Sequence, residues 1–197
     1  MATSVDEPLR QWIDAAAAKQ PAPGGGSVSA VVGALAAAMG EMTLHYTAGK
    51  KSAAGHDDEL DAAVSKFAEL RGSLLTLAME DQAAFEAYQA AETDEQKQAA
   101  TDACLAVPTA ISETAQDILT VAADVAGFAS KWLLSDLAIC GELALATVRC
   151  SRHNIEVNLG SLDAIQADRR RSACVQANAE SAARLEALLA TIATRRA

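Results

Sequence analysis

Apolar residues recur along this chain in steps of three and four, and almost nowhere in the alternation that a half-buried strand requires. Leu9, Trp12, Ile13 and Ala16 predict a short amphipathic helix ending near Lys19, with Ser4-Val5-Asp6-Glu7 in capping-box form ahead of it. Pro21 and Pro23 stop that helix. The loop Pro21-Ala22-Pro23-Gly24-Gly25-Gly26-Ser27 then gives way to an Ala-rich apolar run with no breaker before Gly49. A second helix is predicted from about residue 27 to 47, with Ser27 as its N-cap. Ser29, Gly33, Ala37 and Gly40 are small residues near helical spacing, so a neighbouring helix can come unusually close.

A third helix is predicted from about residue 57 to 91, with the inward stripe Leu60, Val64, Phe67, Arg71, Leu74, Ala78, Asp81, Phe85 and Tyr88. Thr93 caps a fourth, expected to kink at Pro108 and to end at Gly127. Residues 130–159 read as a helix apolar nearly all round, hence buried on most sides. Gly160-Ser161 breaks and recaps the chain. A last helix, with Leu162, Ile165, Ala173, Val175 and Leu185, runs to the C-terminus. The fold class expected is all-α: a bundle of long helices forming a single domain over residues 1–197.

Composition supports this. Half of the residues are hydrophobic, but mostly Ala, Leu and Val, and aromatics make up only 4%. The net charge of −10 argues against nucleic acid, whose phosphates need a basic face. The longest apolar stretch, about residues 28–39, is shorter than the roughly 20 residues of a membrane span. Asp6, Glu7 and Pro8 do not suit a signal peptide. A soluble, acidic, cytoplasmic protein with neither nucleic-acid nor membrane partner is expected. Cys104, Cys140, Cys150 and Cys174 form no C-x-x-C pair and read as reduced, mostly buried thiols. His45, His56 and His153 carry no H-E-x-x-H pattern, so no metal site is expected.

A few positions break the packing pattern. Arg71 and Asp81 fall on an otherwise apolar face and are too far apart on one helix to pair, so Asp81 needs a partner from another helix, as half of an internal salt bridge or as a functional carboxylate. Asp136, after Ser135, stands out in the same way, unless one of the two caps its helix. Asn154 and Asn158 lie four apart on one face, where they either satisfy the backbone or each other, or bind a substrate. Lys50 and Lys51 follow a helix C-terminus, as a dipole complement or as the positive end of an anion site. Gly24, Gly25 and Gly26 let the backbone approach another group closely, beside the free amides of a helix start.

Taken in order, six blocks resemble the formimidoyltetrahydrofolate cyclodeaminase / methenyltetrahydrofolate cyclohydrolase family. They are Pro21-Ala22-Pro23-Gly24-Gly25-Gly26-Ser27, Thr47-Ala48-Gly49-Lys50-Lys51, Glu80-Asp81-Gln82-Ala83-Ala84-Phe85, Val107-Pro108, Ser135-Asp136-Leu137 and Asn154-Ile155-Glu156-Val157-Asn158-Leu159. The resemblance implies an all-helical homodimer that acts on one-carbon units carried by tetrahydrofolate, with no metal and no cofactor beyond that substrate. Family members either open 5,10-methenyltetrahydrofolate with water to 10-formyltetrahydrofolate, or close 5-formimidoyltetrahydrofolate with loss of ammonia. The resemblance implies that Asp81 is the acid/base and Asp136 a second catalytic acid, and that Gly24, Gly25, Gly26, Ser27, Lys50 and Lys51 belong to the folate site. Ser135, Asn154 and Asn158 join them as substrate-binding candidates.

Both reactions are proton-transfer work that suits a carboxylate, and the anionic glutamate tail of folate gives Lys50 and Lys51 a purpose. Hydrolysis is preferred for a stand-alone chain, with cyclodeamination as the alternative. A reading of another class, a non-catalytic folate- or anion-binding helical dimer, rests on departures from the family pattern at His45, Ser52, Lys131-Trp132-Leu133-Leu134 and Arg152-His153.

Overall fold

The structure, a computed structural model, describes residues 8–196; the capping box expected at residues 4–7 lies outside them. Among the described residues there are six α-helices and no strand, in agreement with an all-α fold. They are α1 (Leu9–Ala17), α2 (Gly25–His45), α3 (Asp57–Ala90), α4 (Asp94–Val125), α5 (Leu134–Asn158) and α6 (Ala164–Arg196). Short 3₁₀ turns at Lys51–Ala53, Lys131–Leu133 and Leu159–Ser161 join them.

Helix α2 is the axis of the bundle, packed between α3 and α5 with α4 behind. Ser29, Gly33, Ala37 and Gly40 are all buried, as their small size predicted. The close approach is visible in what an added methyl would meet. At Gly40 a Cβ would lie 2.5 Å from the Phe67 ring, and at Gly33 it would lie 3.1 Å from both a Leu74 methyl and the Thr147 methyl. Gly26 meets Asp81 and Gly25 meets Asn154 in the same way. On α3 the contacts at residues 67, 74 and 81 step by seven while their partners at 40, 33 and 26 step back by seven. On α5 the Cys140 thiol meets the Gly40 backbone, with Thr147 and Asn154 following at the same interval. A seven-residue period is that of left-handed, coiled-coil-like packing, and here both pairings run antiparallel.

The other elements follow their local signals. Thr93 caps α4 in a capping box: its side chain accepts from the Gln96 N–H at 3.2 Å, and the Gln96 side chain accepts from the Thr93 N–H at 3.2 Å. Helix α4 runs through Pro108 without a break. Arg71 finds its partner on α2, donating to Glu41 at 2.9 Å.

Four expectations are corrected. Only Trp12 of α1 is buried, because Leu9 and Ile13 face solvent. Phe85 and Tyr88 are also partly exposed, because the last turns of α3 project beyond the core. Asp163 rather than Ser161 caps α6, accepting from the Gln166 N–H at 2.8 Å, and Ile165 and Val175 lie on the exposed first half of that helix. Finally, α2, whose apolar stretch was expected to be too short for a membrane span, would by length and composition alone be able to cross one. In this fold more than half of that stretch is buried inside the protein.

Candidate functional site

The N-terminal end of α2 is where its antiparallel pairings with α3 and α5 finish. The end position on α3 is Asp81, and the end position on α5 is Asn154. Asp81 therefore occupies the packing place that Phe67 and Leu74 hold deeper in the core, and an open helix start replaces apolar neighbours there. The first amides of a helix lack intrahelical partners and carry the positive end of its dipole, so a carboxylate is stabilised beside them.

Ser27 supplies the contact. Its N–H donates to Asp81 Oδ2 at 2.8 Å and its Oγ–H donates to the same oxygen at 2.9 Å. Ser27 was expected to cap α2. The helix instead begins two residues earlier, after Gly24 in an extended conformation, so Ser27 sits in the first turn and its hydroxyl is free for Asp81. A side chain at Gly26 would overlap Asp81 Oδ1, so this carboxylate lies directly on the helix backbone and only glycine leaves it room. Oδ1 accepts no hydrogen bond among the described residues, while Oδ2 accepts two. Oδ1 is the oxygen of this carboxylate left open towards the cavity side of Gly26.

These residues face a cavity of about 290 Å³ whose lining includes Gly24, Gly25, Gly26, Asp81, Asn154 and Asn158. Its size is near the lower end of small-molecule pockets. Phe85, one turn beyond Asp81 on α3, adds an aromatic wall, and Cys104 and Pro108 close the side formed by α4. Burial and the charge of Asp81 push the Cys104 thiol up, so it remains a neutral neighbour of the carboxylate. Asn158 Nδ2 donates to the Cys104 carbonyl at 3.1 Å and to the Asn154 carbonyl at 2.9 Å. Cys104 and Pro108 were not expected at the site; their signal was a proline inside a long helix, four residues after a carbonyl it must leave free.

Lys50, Lys51, Ser135 and Asp136 are not brought to this cavity. They lie beyond the other end of α2, a helix about 30 Å long at 1.5 Å per residue. The Ser130 N–H donates to Thr47 Oγ1 at 2.8 Å and so ties the segment before α5 to the segment after α2. Asp136 was expected on a buried stripe. It is half-buried in the first turn of α5, 3.4 Å from the Ser135 hydroxyl, because Leu134 and Leu137 take the inward positions. An open groove of about 710 Å³ between α3 and α4, lined by His56, Lys66, Asp124 and Phe128 among others, is larger than the Asp81 cavity but includes none of the expected residues. No group of three His, Cys, Asp or Glu residues that could hold a metal ion occurs among the described residues.

The chain resembles known proteins over this whole arrangement. A methenyltetrahydrofolate cyclohydrolase from Methylorubrum extorquens is 29% identical over 170 residues, which cover 80% of this chain and 82% of that protein. The rat formimidoyltransferase-cyclodeaminase is 28% identical over 79% of this chain, which spans only 31% of that longer protein. The crystal structure of a formiminotetrahydrofolate cyclodeaminase from Thermotoga maritima superimposes with a TM-score of 0.83 at 27% identity and covers 96% of both chains. The family model for formiminotransferase-cyclodeaminase matches residues 8–183, and the chain belongs to that family.

Proposed function

We propose that this protein is a tetrahydrofolate one-carbon enzyme that hydrolyses 5,10-methenyltetrahydrofolate to 10-formyltetrahydrofolate, with Asp81 as acid/base. The observation that carries this reading is the asymmetry of the Asp81 carboxylate, with Oδ2 held by two donors of Ser27 and Oδ1 left without one over Gly26. The cyclohydrolase relative, matched over most of both chains, supports the reaction.

In the methenyl substrate an electron-poor carbon bridges two nitrogens. Water adds to that carbon while Asp81 Oδ1 accepts one of its protons. The same oxygen returns that proton to the leaving ring nitrogen; as the carbon–nitrogen bond breaks, the carbinol hydroxyl loses its own proton to water, which leaves a formyl group on the other nitrogen and releases one proton net. A single oxygen can serve both transfers because they occur in sequence on one side of the same carbon. Asn154 and Asn158 line the cavity as binding groups for the head group. No protein-bound metal or nucleotide takes part in this scheme.

Purified protein is expected to remove the ultraviolet absorbance of methenyltetrahydrofolate faster than buffer does. Asp81→Asn should lower kcat by about 10²–10⁴-fold with the helical circular dichroism unchanged. Wild-type turnover in that variant would remove Asp81 from the chemistry. The cyclodeaminase reading is favoured by the structural match over nearly the whole chain, and ammonia release from formimidoyltetrahydrofolate would select it. A protein that only binds folate would gain thermal stability from the ligand without turnover.

The remaining candidates enter through a homodimer. Val28 and Leu35 of α2 and Tyr46 just beyond its last residue are exposed, and Val32, Met39 and Met42 between them are half-buried, which makes an apolar stripe in steps of four and three along an uncovered face. Two copies packed antiparallel along this stripe, centred near Leu35, bring the Gly25 end of one α2 to the end of the other. Lys50 and Lys51 of the partner subunit would then receive the anionic tail, with the partner's Ser135 and the partner's Asp136 nearby.

A further inference from the structure

Asn158 is the last residue of α5, and both N–H bonds of its amide are used: one on the Asn154 carbonyl, one turn back in its own helix, and one on the Cys104 carbonyl of α4. The second acceptor exists for a covalent reason. In an α-helix the carbonyl of residue 104 takes the N–H of residue 108, but residue 108 is proline and has none. The proline ring also presses on that carbonyl and turns it outward. Pro108 is buried, and the freed carbonyl points to the neighbouring helix instead of to water. Asn158 satisfies it across 54 residues of sequence at 3.1 Å.

An amide whose nitrogen is saturated in this way cannot flip, so its oxygen has one orientation. Asn158 Oδ1 has no partner among the described residues, and Asn158 lines the Asp81 cavity beside Pro108. We infer that Pro108 is a positioning residue: by freeing the Cys104 carbonyl it locks Asn158, which presents Oδ1 to the cavity as an acceptor for an N–H of the substrate's head group. This rests on the reading of the cavity as the folate site. It adds a reason why a proline stands in the middle of a 32-residue helix, where it otherwise only weakens the ladder.

The interaction is made equally in ground and transition states, so its loss appears in KM. Pro108→Ala restores the helical bond to Cys104 and releases Asn158. It should raise KM by roughly 5- to 10-fold, the size of one neutral hydrogen bond, with kcat within about twofold and helical content retained. Asn158→Ala should do the same, and the double variant should be no worse than the poorer single variant. Unchanged KM in Pro108→Ala, or single effects that multiply in the double variant, would overturn the inference. If wild-type protein turns over no folate, the functional reading fails by itself, and thermal melts of the same four proteins decide the link. Asn158→Ala should lower the melting temperature less in the Pro108→Ala background than in wild type; equal decrements would reject the coupling.

Discussion

At the scale of single residues, the site depends on an atom that is absent. Gly26 has no Cβ, and this alone lets Asp81 rest on the backbone of α2 within reach of Ser27. Gly26→Ala must push the carboxylate off that seat. A displacement of about 1 Å can cost roughly 10²-fold in rate, so kcat/KM should fall by that order while the fold persists. Ser27→Ala removes only the Oγ–H donor and keeps the N–H, and should cost roughly 10-fold. Steady-state assays of the two variants check the order; a Ser27→Ala defect larger than that of Gly26→Ala would contradict it.

The cysteines are also read at this scale. They were expected to be mostly buried, but only Cys140 is fully enclosed, and its thiol is pushed up to about 12 by burial. Cys150 is exposed, because its position on α5 turns away from α2. A disulfide reagent should label Cys150 first, Cys104 and Cys174 slowly, and Cys140 only on unfolding, as peptide mapping of the labelled protein would show.

At the scale of elements, the seven-residue spacing of close contacts along α2 decides where helices touch. Gly40→Ala illustrates the competition. Helix propensity alone favours alanine by about 1 kcal/mol, but here the new methyl meets the Phe67 ring, and overpacking of this kind costs about 1–3 kcal/mol. The net sign should be destabilising. At Gly72, on the exposed side of α3, an added methyl would meet nothing within 4 Å, so Gly72→Ala should stabilise by about 0.5–1 kcal/mol. Thermal melts should move in opposite directions for the two substitutions, by a few degrees each for a domain of this size. The same antiparallel register explains Asp81 and Asn154, which are polar because the pairings end at an open helix start.

At the scale of the whole molecule, the candidate residues divide into two groups at opposite ends of α2. Asp81, Asn154, Asn158 and the Gly24–Ser27 turn form one, and Lys50, Lys51, Ser135 and Asp136 the other. The antiparallel dimer proposed above would join the groups, and it predicts complementation. Asp81→Asn and Asp136→Asn should each be inactive alone. Mixed and allowed to exchange subunits, they should recover up to about a quarter of wild-type activity, because half of the dimers are mixed and each carries one intact site under two-fold symmetry. No recovery, with exchange verified by mass spectrometry, would confine the site to one subunit. Leu35→Glu should dissociate the dimer, as sedimentation would show, by placing a charge in the centre of the apolar stripe.

The sequence by itself determined the helices, their approximate ends, the small-residue face of α2 and the anomaly of Asp81. Each is a local property: a period of 3.6, a capping residue, a breaker, or a charge on an apolar stripe. The tertiary structure decided what those features meet. Whether Ser27 caps a helix or holds a carboxylate depends on where the chain first turns helical and on a residue 54 positions away. The separation of Asp136 from Asp81, and the pairing of the carbonyl left by Pro108 with Asn158, depend on the register between helices distant in sequence. Periodicity fixes which face of a helix turns inward. Register is set by interlocking side chains from several helices at once, and a one-dimensional pattern does not contain it.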